Sequence, residues 1–207
     1  MAACILPRAE SRESLTGFYV EVLLLACFFF LVAGGPPPAV NEAHYLTKAK
    51  HYWDSGFAPL DFFLNSADAH LAFYWSIGWL TKFCSLTVTA WIARWIVWLL
   101  VAGGLTSLSR SLGHRRGLGI ICGVLFYVLQ SNFHLAGEWV VGGVEGKGFA
   151  YGFCLLAMAH VIRNKWNVVW VLLGVSVAFH VLVGGWLTVL IVIYRIIQLS
   201  RSRSFKP

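Results

Sequence analysis

Acidic and histidine side chains are concentrated in one polar segment, residues 36–85, which stands between two apolar runs. Its four acids and three histidines are Glu42, Asp54, Asp61, Asp68, His44, His51 and His70. A carboxylate held beside cations can act as a general base on an acceptor hydroxyl. Glu42, Asp61 and Asp68 are therefore the candidate catalytic residues. The alternative interpretation of any single acid is a solvated helix cap or turn residue.

Cationic side chains near these acids could bind a phosphate group. Lys48 and His51 share a predicted helix face with His44, at i, i+4 and i+7 spacing. Arg94 lies about eight residues into a long apolar run, where an arginine requires an acidic or phosphate partner. Because cationic side chains bind phosphate through charge-assisted hydrogen bonds, the sequence predicts that Lys48, His51 and Arg94 contact a phosphate.

A second polar segment, residues 132–147, is rich in glycine and contains Glu138, Glu145 and Lys147. Glycine allows close backbone approach and turns with positive φ, so these three charged residues are predicted to contribute to the same site. A flexible hairpin with a Glu–Lys pair is the alternative. His180 stands in a predicted turn between the last two apolar runs and is a further candidate, with a hydrogen-bonded turn residue as its alternative role.

Metal and disulfide chemistry is not indicated by the cysteines. No two of them form a Cys-x-x-Cys pair, and three lie inside apolar runs, where a thiol usually acts as a small buried apolar group. The five are Cys4, Cys27, Cys84, Cys122 and Cys154. The sequence therefore predicts no metal site and no cofactor, although a divalent metal is left open.

The composition indicates a chain that lies in a membrane. Of its 207 residues, 58% are hydrophobic and 12% are charged, whereas a soluble domain carries about 25% charged residues. This excludes an ordinary soluble domain and an intrinsically disordered chain. The net charge of +7 does not indicate a nucleic-acid partner, because the cations lie between apolar runs and form no single patch. The predicted fold is an all-α polytopic transmembrane bundle, with residues 1–207 as one integral membrane domain.

Six membrane spans are predicted from the apolar runs 18–34, 86–108, 117–131, 148–162 and 166–199. The last run would form a helix of about 51 Å, too long for a hydrocarbon core of about 30 Å, so a break is predicted at 180–185. Residues 36–85 then form an outer loop with a surface helix at 42–53 and an apolar interfacial or re-entrant helix at 70–83, and 132–147 form a second outer loop. The first run is expected to be an uncleaved anchor, with a signal peptide as the alternative.

The charge distribution predicts the orientation. With the N-terminus inside, eleven of the sixteen Lys and Arg residues fall in inner segments, and six of the nine acids fall in outer ones. This satisfies the positive-inside rule at every inner loop. The chain is therefore expected to be a multi-pass membrane protein, with the lipid bilayer as its first partner.

Three strings, NEAHYL at 41–46, DFFL at 61–64 and EWVVGGVEGK at 138–147, are similar to those of uncharacterised bacterial polytopic proteins. The order of elements resembles the N-terminal module of GT-C superfamily glycosyltransferases, which use polyprenyl-phosphate-linked sugars. The shared features are an N-in first span, a long outer loop with an acid just past the membrane, two surface helices and an arginine in the second span. The resemblance covers roughly residues 18–194 and implies a location in the bacterial inner (plasma) membrane.

The resemblance implies inversion at an anomeric carbon on the outer face, with a polyprenyl-phosphate-linked sugar as donor. Glu42 is the best match for the superfamily's loop acid, followed by Asp61 and Asp68. The superfamily usually has more spans, so a missing C-terminal half or a partner subunit is also implied. The competing hypothesis is a non-catalytic membrane subunit or transporter fragment that binds a lipid or solute. An intramembrane protease is disfavoured, because the sequence has no Gly-x-Ser-x-Gly, paired membrane aspartates or His-Glu-x-x-His.

Overall fold

The computed structural model describes residues 15–133 and 139–204. Within these ranges the chain is helical and has no β-strand, which confirms the predicted all-α class. The helices are α1 (Leu15–Ala33), α2 (Glu42–Trp53), α3 (Leu71–Ser76), a 3-10 helix (Gly78–Lys82), α4 (Leu86–Ser111), α5 (Leu118–Phe133), α6 (Gly146–Ile162), α7 (Trp166–Phe179) and α8 (Val181–Ser204).

Three of the described helices are long and apolar enough to cross a membrane: α1, α4 and the Val181–Arg201 part of α8. Helices α5, α6 and α7 are also apolar but shorter, with 16, 17 and 14 residues. A membrane protein is therefore supported, whereas the count of six crossings and the orientation remain predictions. The predicted break in the last apolar run is present, because α7 ends at Phe179 and α8 begins at Val181.

The central helix of the bundle is α4, which packs against α1, α5 and α6. Small residues allow the helix backbones to approach closely, as in membrane helix pairs. A Cβ on Gly104 would lie 2.7 Å from the Cβ of Leu155, and one on Gly152 would lie 2.5 Å from the Cγ of Leu100. These two glycines therefore set the spacing between α4 and α6.

The apolar helices alternate in direction. At one end of the bundle, Tyr127 of α5 donates a hydrogen bond to the carbonyl of Val32 in α1 (3.2 Å), and Gly146 of α6 lies against Phe179 of α7. At the opposite end, Arg110 of α4 pairs with Glu21 of α1 at 2.9 Å. We call the first end, which carries residues 34–85, 139–145 and His180, the loop end.

The polar segment at the loop end is ordered by short helices. Helix α2 matches the predicted surface helix, but the Asn41 side chain makes no capping hydrogen bond. The apolar stretch 70–83 forms α3 and the 3-10 helix instead of one continuous helix. Gly78 allows α2 to pack closely on the 3-10 helix, because a Cβ there would lie 2.8 Å from the Cβ of Ala49.

The junction between α7 and α8 supplies a stability prediction. A Cβ on Gly184 would overlap backbone atoms of α7, among them the amide nitrogen of Val177 and the carbonyl carbon of Ser176 (2.6 Å). Backbone cannot move aside cheaply, so Gly184→Ala is expected to destabilise the fold by about 1–3 kcal/mol. Gly185 is the matched control, because a Cβ there meets no atom within 4 Å. Thermal unfolding in detergent micelles measures both variants, and equal stability of the two would contradict this packing.

Candidate functional site

A buried ion pair joins α2 to α4 at the loop end. Arg94 donates from Nε to Oε1 of Glu42 at 2.8 Å and from Nη2 to Oε2 at 2.6 Å. Its Nη1 donates to the carbonyl oxygen of Gly35 at 2.5 Å. Both side chains of the pair are 0% exposed. Arg94 therefore has the acidic partner that its depth in an apolar helix predicted, and its donors point at protein atoms.

Two backbone amides complete the surroundings of the Glu42 carboxylate. Val144 donates its N–H to Oε1 and Ala39 donates its N–H to Oε2, each at 2.9 Å. With the two bonds from Arg94, each carboxylate oxygen accepts two hydrogen bonds, which is the full capacity of the group. A saturated, buried carboxylate has no lone pair for an acceptor hydroxyl. The position of Glu42 thus suits a residue that connects α2, α4 and two loops.

The glycine-rich loop packs onto this ion pair. Gly143 lies so close to residue 39 that a Cβ would be 2.7 Å from the carbonyl oxygen of Ala39. Glu145 and Lys147 form a second buried ion pair, with 3.2 Å between Lys147 Nζ and Glu145 Oε2. Glu145 directly follows Val144, so the two buried pairs are adjacent. The third candidate of this region, Glu138, lies outside the described residues.

Lys48 is buried rather than presented to a ligand. Its Nζ donates to the carbonyl oxygens of Leu64 (2.7 Å) and Ser66 (2.5 Å) and lies 3.5 Å from Oδ1 of Asp68. Only 4% of the Lys48 side chain is exposed, against 40% of the Asp68 side chain. These contacts use the ammonium donors to hold the turn at 61–66 against α2. A phosphate could bind Lys48 only in exchange for these contacts.

Asp61 differs from Glu42 because its carboxylate is exposed. Its Oδ1 accepts the backbone N–H of Leu64 at 2.9 Å, while Oδ2 has no hydrogen-bond donor among the described residues. The turn that carries Asp61 is also held by Asn65, whose Nδ2 donates to the carbonyls of Pro59 and Asp61, both at 2.8 Å. Among the three candidate catalytic acids, Asp61 alone is both rigidly placed and open to a ligand in a groove.

The groove lies between α2 and the 57–74 stretch and has a volume of about 800 Å³. Aromatic rings and a small number of polar groups form its walls, the composition typical of ligand sites. Its lining residues are Asn41, His44, Tyr45, Thr47, Lys48, Phe57, Ala58, Asp61, Phe63, Leu64, His70 and Tyr74. Of these, only Lys48 and Asp61 were predicted as site residues. The aromatic members gave no separate signal, because aromatic residues are common throughout this chain.

The two histidine candidates, His51 and His180, and the groove residue His70 all contact other protein groups. His51 Nδ1 lies 2.8 Å from the carbonyl oxygen of Phe57. The ring of His70 stacks on that of Tyr45, with 4.6 Å between centroids. His180 caps the start of α8, where its Nδ1 accepts the N–H of Val183 at 3.3 Å. The alternative predicted for His180, a hydrogen-bonded turn residue, describes this position.

Burial favours the uncharged form of two groove side chains. It lowers the pKa of the His70 imidazole below its usual 6.5, and the nearby His180 lowers it further. Burial, assisted by the charge of Asp68, raises the pKa of the Tyr74 hydroxyl to about 12. Asp61 contributes an exposed carboxylate to the same groove. The described residues contain no cluster of three or more His, Cys, Asp or Glu side chains that could hold a metal ion.

This arrangement suits a neutral polar ring bearing hydroxyl groups. Aromatic faces pack against apolar C–H surfaces, while the carboxylate of Asp61 can accept hydroxyl protons and the amide of Asn41 can both donate and accept. Comparison with known proteins adds no constraint, because no family model, no curated protein and no solved structure matches the chain.

Proposed function

We propose that the chain is a membrane-embedded glycosyltransferase module of the GT-C type, whose groove binds the sugar during transfer from a polyprenyl-phosphate donor. One observation carries the proposal: an aromatic groove with an exposed, rigidly placed carboxylate lies beside helices long enough to cross a membrane. A lipid-linked sugar requires such a site, since its sugar is polar and its tail stays in the bilayer.

The proposal includes the predicted topology. Six crossings with the N-terminus inside place the loop end, and with it the groove, on the outer face of the bacterial inner (plasma) membrane. The alternating directions of the six apolar helices support this arrangement. The exposed rings of Trp75 and Trp79 and the Lys82 ammonium, 5.4 Å from the Trp53 ring centre, support an interfacial position for the 70–83 stretch, because aromatic and cationic residues favour that boundary.

In the proposed reaction, Asp61 acts as the general base. Its carboxylate takes the proton of an acceptor hydroxyl, and the hydroxyl oxygen attacks the anomeric carbon of the donor sugar. The bond between that carbon and the phosphate oxygen breaks, the lipid phosphate leaves with the electron pair, and the anomeric configuration inverts. Glu42 and Arg94 position the groove walls and do not touch the substrate.

The leaving phosphate requires a cation other than Arg94 and Lys48, because both of these side chains are buried and bonded to protein atoms. Lys50 is the best candidate: its Nζ lies 4.4 Å from the centre of the Phe57 ring, a groove residue, and it has no acidic partner among the described residues. An ammonium beside Phe57, at the edge of the groove, can attract a phosphate at the level of the lipid headgroups. Sequence spacing alone did not single out Lys50.

Sugar transfer by membranes that contain the chain tests this function. A labelled sugar on polyprenyl phosphate is expected to be transferred to endogenous acceptors, whereas the same sugar phosphate without the lipid is not expected to react. Membranes that lack the chain provide the background. Transfer at background level from every lipid-linked sugar tried would reject the enzyme.

The second candidate function is a non-catalytic subunit or transporter fragment that binds a lipid or solute. It is favoured by the number of predicted site residues that contact other protein groups: Glu42, Arg94, Lys48, Glu145 and Lys147 all form internal ion pairs. This function predicts that a lipid-linked sugar binds without turnover. Binding of the labelled donor at background transfer would therefore select the subunit over the enzyme.

A further inference from the structure

Two apolar side chains are presented to the surroundings on the outer side of the groove wall. Leu60 is 97% exposed and Phe62 is 92% exposed. Asp61 and Phe63, which alternate with them along the chain, line the groove instead. The turn at 59–63 therefore separates its residues into a face toward the groove and an apolar tip, formed by Leu60 and Phe62, that faces away from it.

The apolar tip is held firmly by polar contacts beneath it. Asn65 Nδ2 donates to the carbonyls of Pro59 and Asp61 on either side of Leu60, and the N–H of Leu64 donates to the Asp61 carboxylate. Lys48 of α2 donates hydrogen bonds to the carbonyl oxygens of Leu64 and Ser66, the residues that follow the turn. With the backbone constrained in this way, the two side chains cannot collapse into the protein interior.

The depth of the tip follows from its neighbours. Arg94 lies about 12 Å along α4 from Leu86, and the 26 residues of α4 span about 39 Å. A helix that crosses a hydrocarbon core of about 30 Å can extend beyond it by only about 9 Å, so Arg94 lies at or inside the outer edge of the core. Glu42 is bonded to Arg94 at this level.

Contacts connect this level directly to the turn. Asn41 and His44, on either side of Glu42 in sequence, line the groove together with Asp61 and Phe63. The rings of His44 and Phe63 have 5.5 Å between their centroids. The turn is therefore a neighbour of the first turn of α2, beside the outer edge of the hydrocarbon and not above the end of α4.

We propose that Leu60 and Phe62 insert into the outer leaflet of the bilayer and hold the groove wall at the membrane surface. Two large apolar side chains at this depth gain from transfer out of water, and the Lys50 ammonium, 4.4 Å from the ring centre of Phe57 in the same segment, suits anionic headgroups. The occupant of this surface is lipid rather than a protein. The insertion rests on the proposed topology but does not require sugar transfer, so a lipid contact without transfer would reject only the enzyme.

Photocrosslinking from the tip tests the proposal. The full chain is expressed with benzoyl-phenylalanine at position 62 or, in a second variant, at position 60, and its membranes are irradiated and analysed by mass spectrometry. Both replacements change an exposed side chain and leave the fold intact. We expect phospholipid adducts at both positions, several-fold above those from a third variant with the label at Ser55, an exposed polar position of the same segment.

Two results would overturn the proposal. Adducts with another protein, in place of phospholipid, would identify the tip as a protein-docking surface. Adduct yields at positions 60 and 62 no higher than at position 55 would place the tip in water.

Discussion

Glu42→Gln is expected to destabilise the folded chain by about 3–5 kcal/mol, because it leaves the buried guanidinium of Arg94 without a counter-charge. Both side chains are fully buried, and the carboxylate also accepts the amides of Ala39 and Val144. The loss should therefore affect α2, α4 and the glycine-rich loop together. Chemical or thermal unfolding in detergent micelles measures the change.

The matched control for this prediction is Asp68→Asn. This variant also removes the charge of an ion pair, but the Asp68 side chain is 40% exposed and lies 3.5 Å from its partner, Lys48. The Lys48 ammonium is buried but keeps its hydrogen bonds to the carbonyls of Leu64 and Ser66 when Asp68 is replaced, so this variant should lose less stability than Glu42→Gln. If Glu42→Gln were no less stable than Asp68→Asn, the buried pair would not organise the loop end.

Removing both charges of the buried pair separates the cost of an unpaired charge from the value of the pair itself. The double variant Glu42→Gln, Arg94→Gln contains no uncompensated charge and is expected to be more stable than Glu42→Gln alone. The two effects are not additive because the residues are in contact. A double variant whose loss equals the sum of the two single losses would show that the residues act independently.

Asp61→Asn is expected to lower the rate of sugar transfer by about 100- to 10,000-fold, the usual contribution of a general base. Asparagine keeps the oxygen that accepts the N–H of Leu64, so the turn and its exposed surface should persist. Stability is therefore expected to change by less than about 0.5 kcal/mol. The rate is measured with a labelled polyprenyl-phosphate sugar, and stability is measured on the same preparation.

Asp54→Asn is the control for this rate effect. Asp54 is exposed, belongs to the same polar segment and accepts one backbone hydrogen bond, from Gly56 at 3.1 Å, but it does not line the groove. The Asp54→Asn variant should transfer sugar at the wild-type rate. Equal rates for Asp61→Asn and the wild type would remove Asp61 as the base, whereas a loss of stability with the rate would assign it a structural role.

The two carboxylates distinguish positioning from catalysis in one experiment. Glu42→Gln should lose stability and transfer together, because Glu42 supports the walls of the groove. Asp61→Asn should lose transfer alone. The resemblance to GT-C enzymes ranked Glu42 first as the base, but the saturated hydrogen bonding of its carboxylate favours Asp61 for that role in the proposed reaction.

Local sequence patterns predicted the helices well, because they depend on residues that are neighbours in the chain. The predicted surface helix at 42–53 coincides with α2, and the run 166–199 is divided next to His180. The stretch 70–83 was less predictable. This stretch is divided into α3 and a 3-10 helix, and it packs on α2 through Gly78. Side-chain periodicity does not reveal such a contact between distant residues.

The sequence by itself determined that this chain is helical, strongly apolar and in need of an acidic or phosphate partner for Arg94. Hydropathy and side-chain periodicity act over a few residues and require no knowledge of the fold. The tertiary structure alone decided which group meets Arg94, since Glu42 is 52 positions away and the amide of Val144 is 102 positions from Glu42. It likewise decided that Lys48 is buried beneath a turn and that Asp61 remains open to a groove. Such pairings depend on how whole helices pack, because burial both removes water from a charge and selects the partner that must replace it.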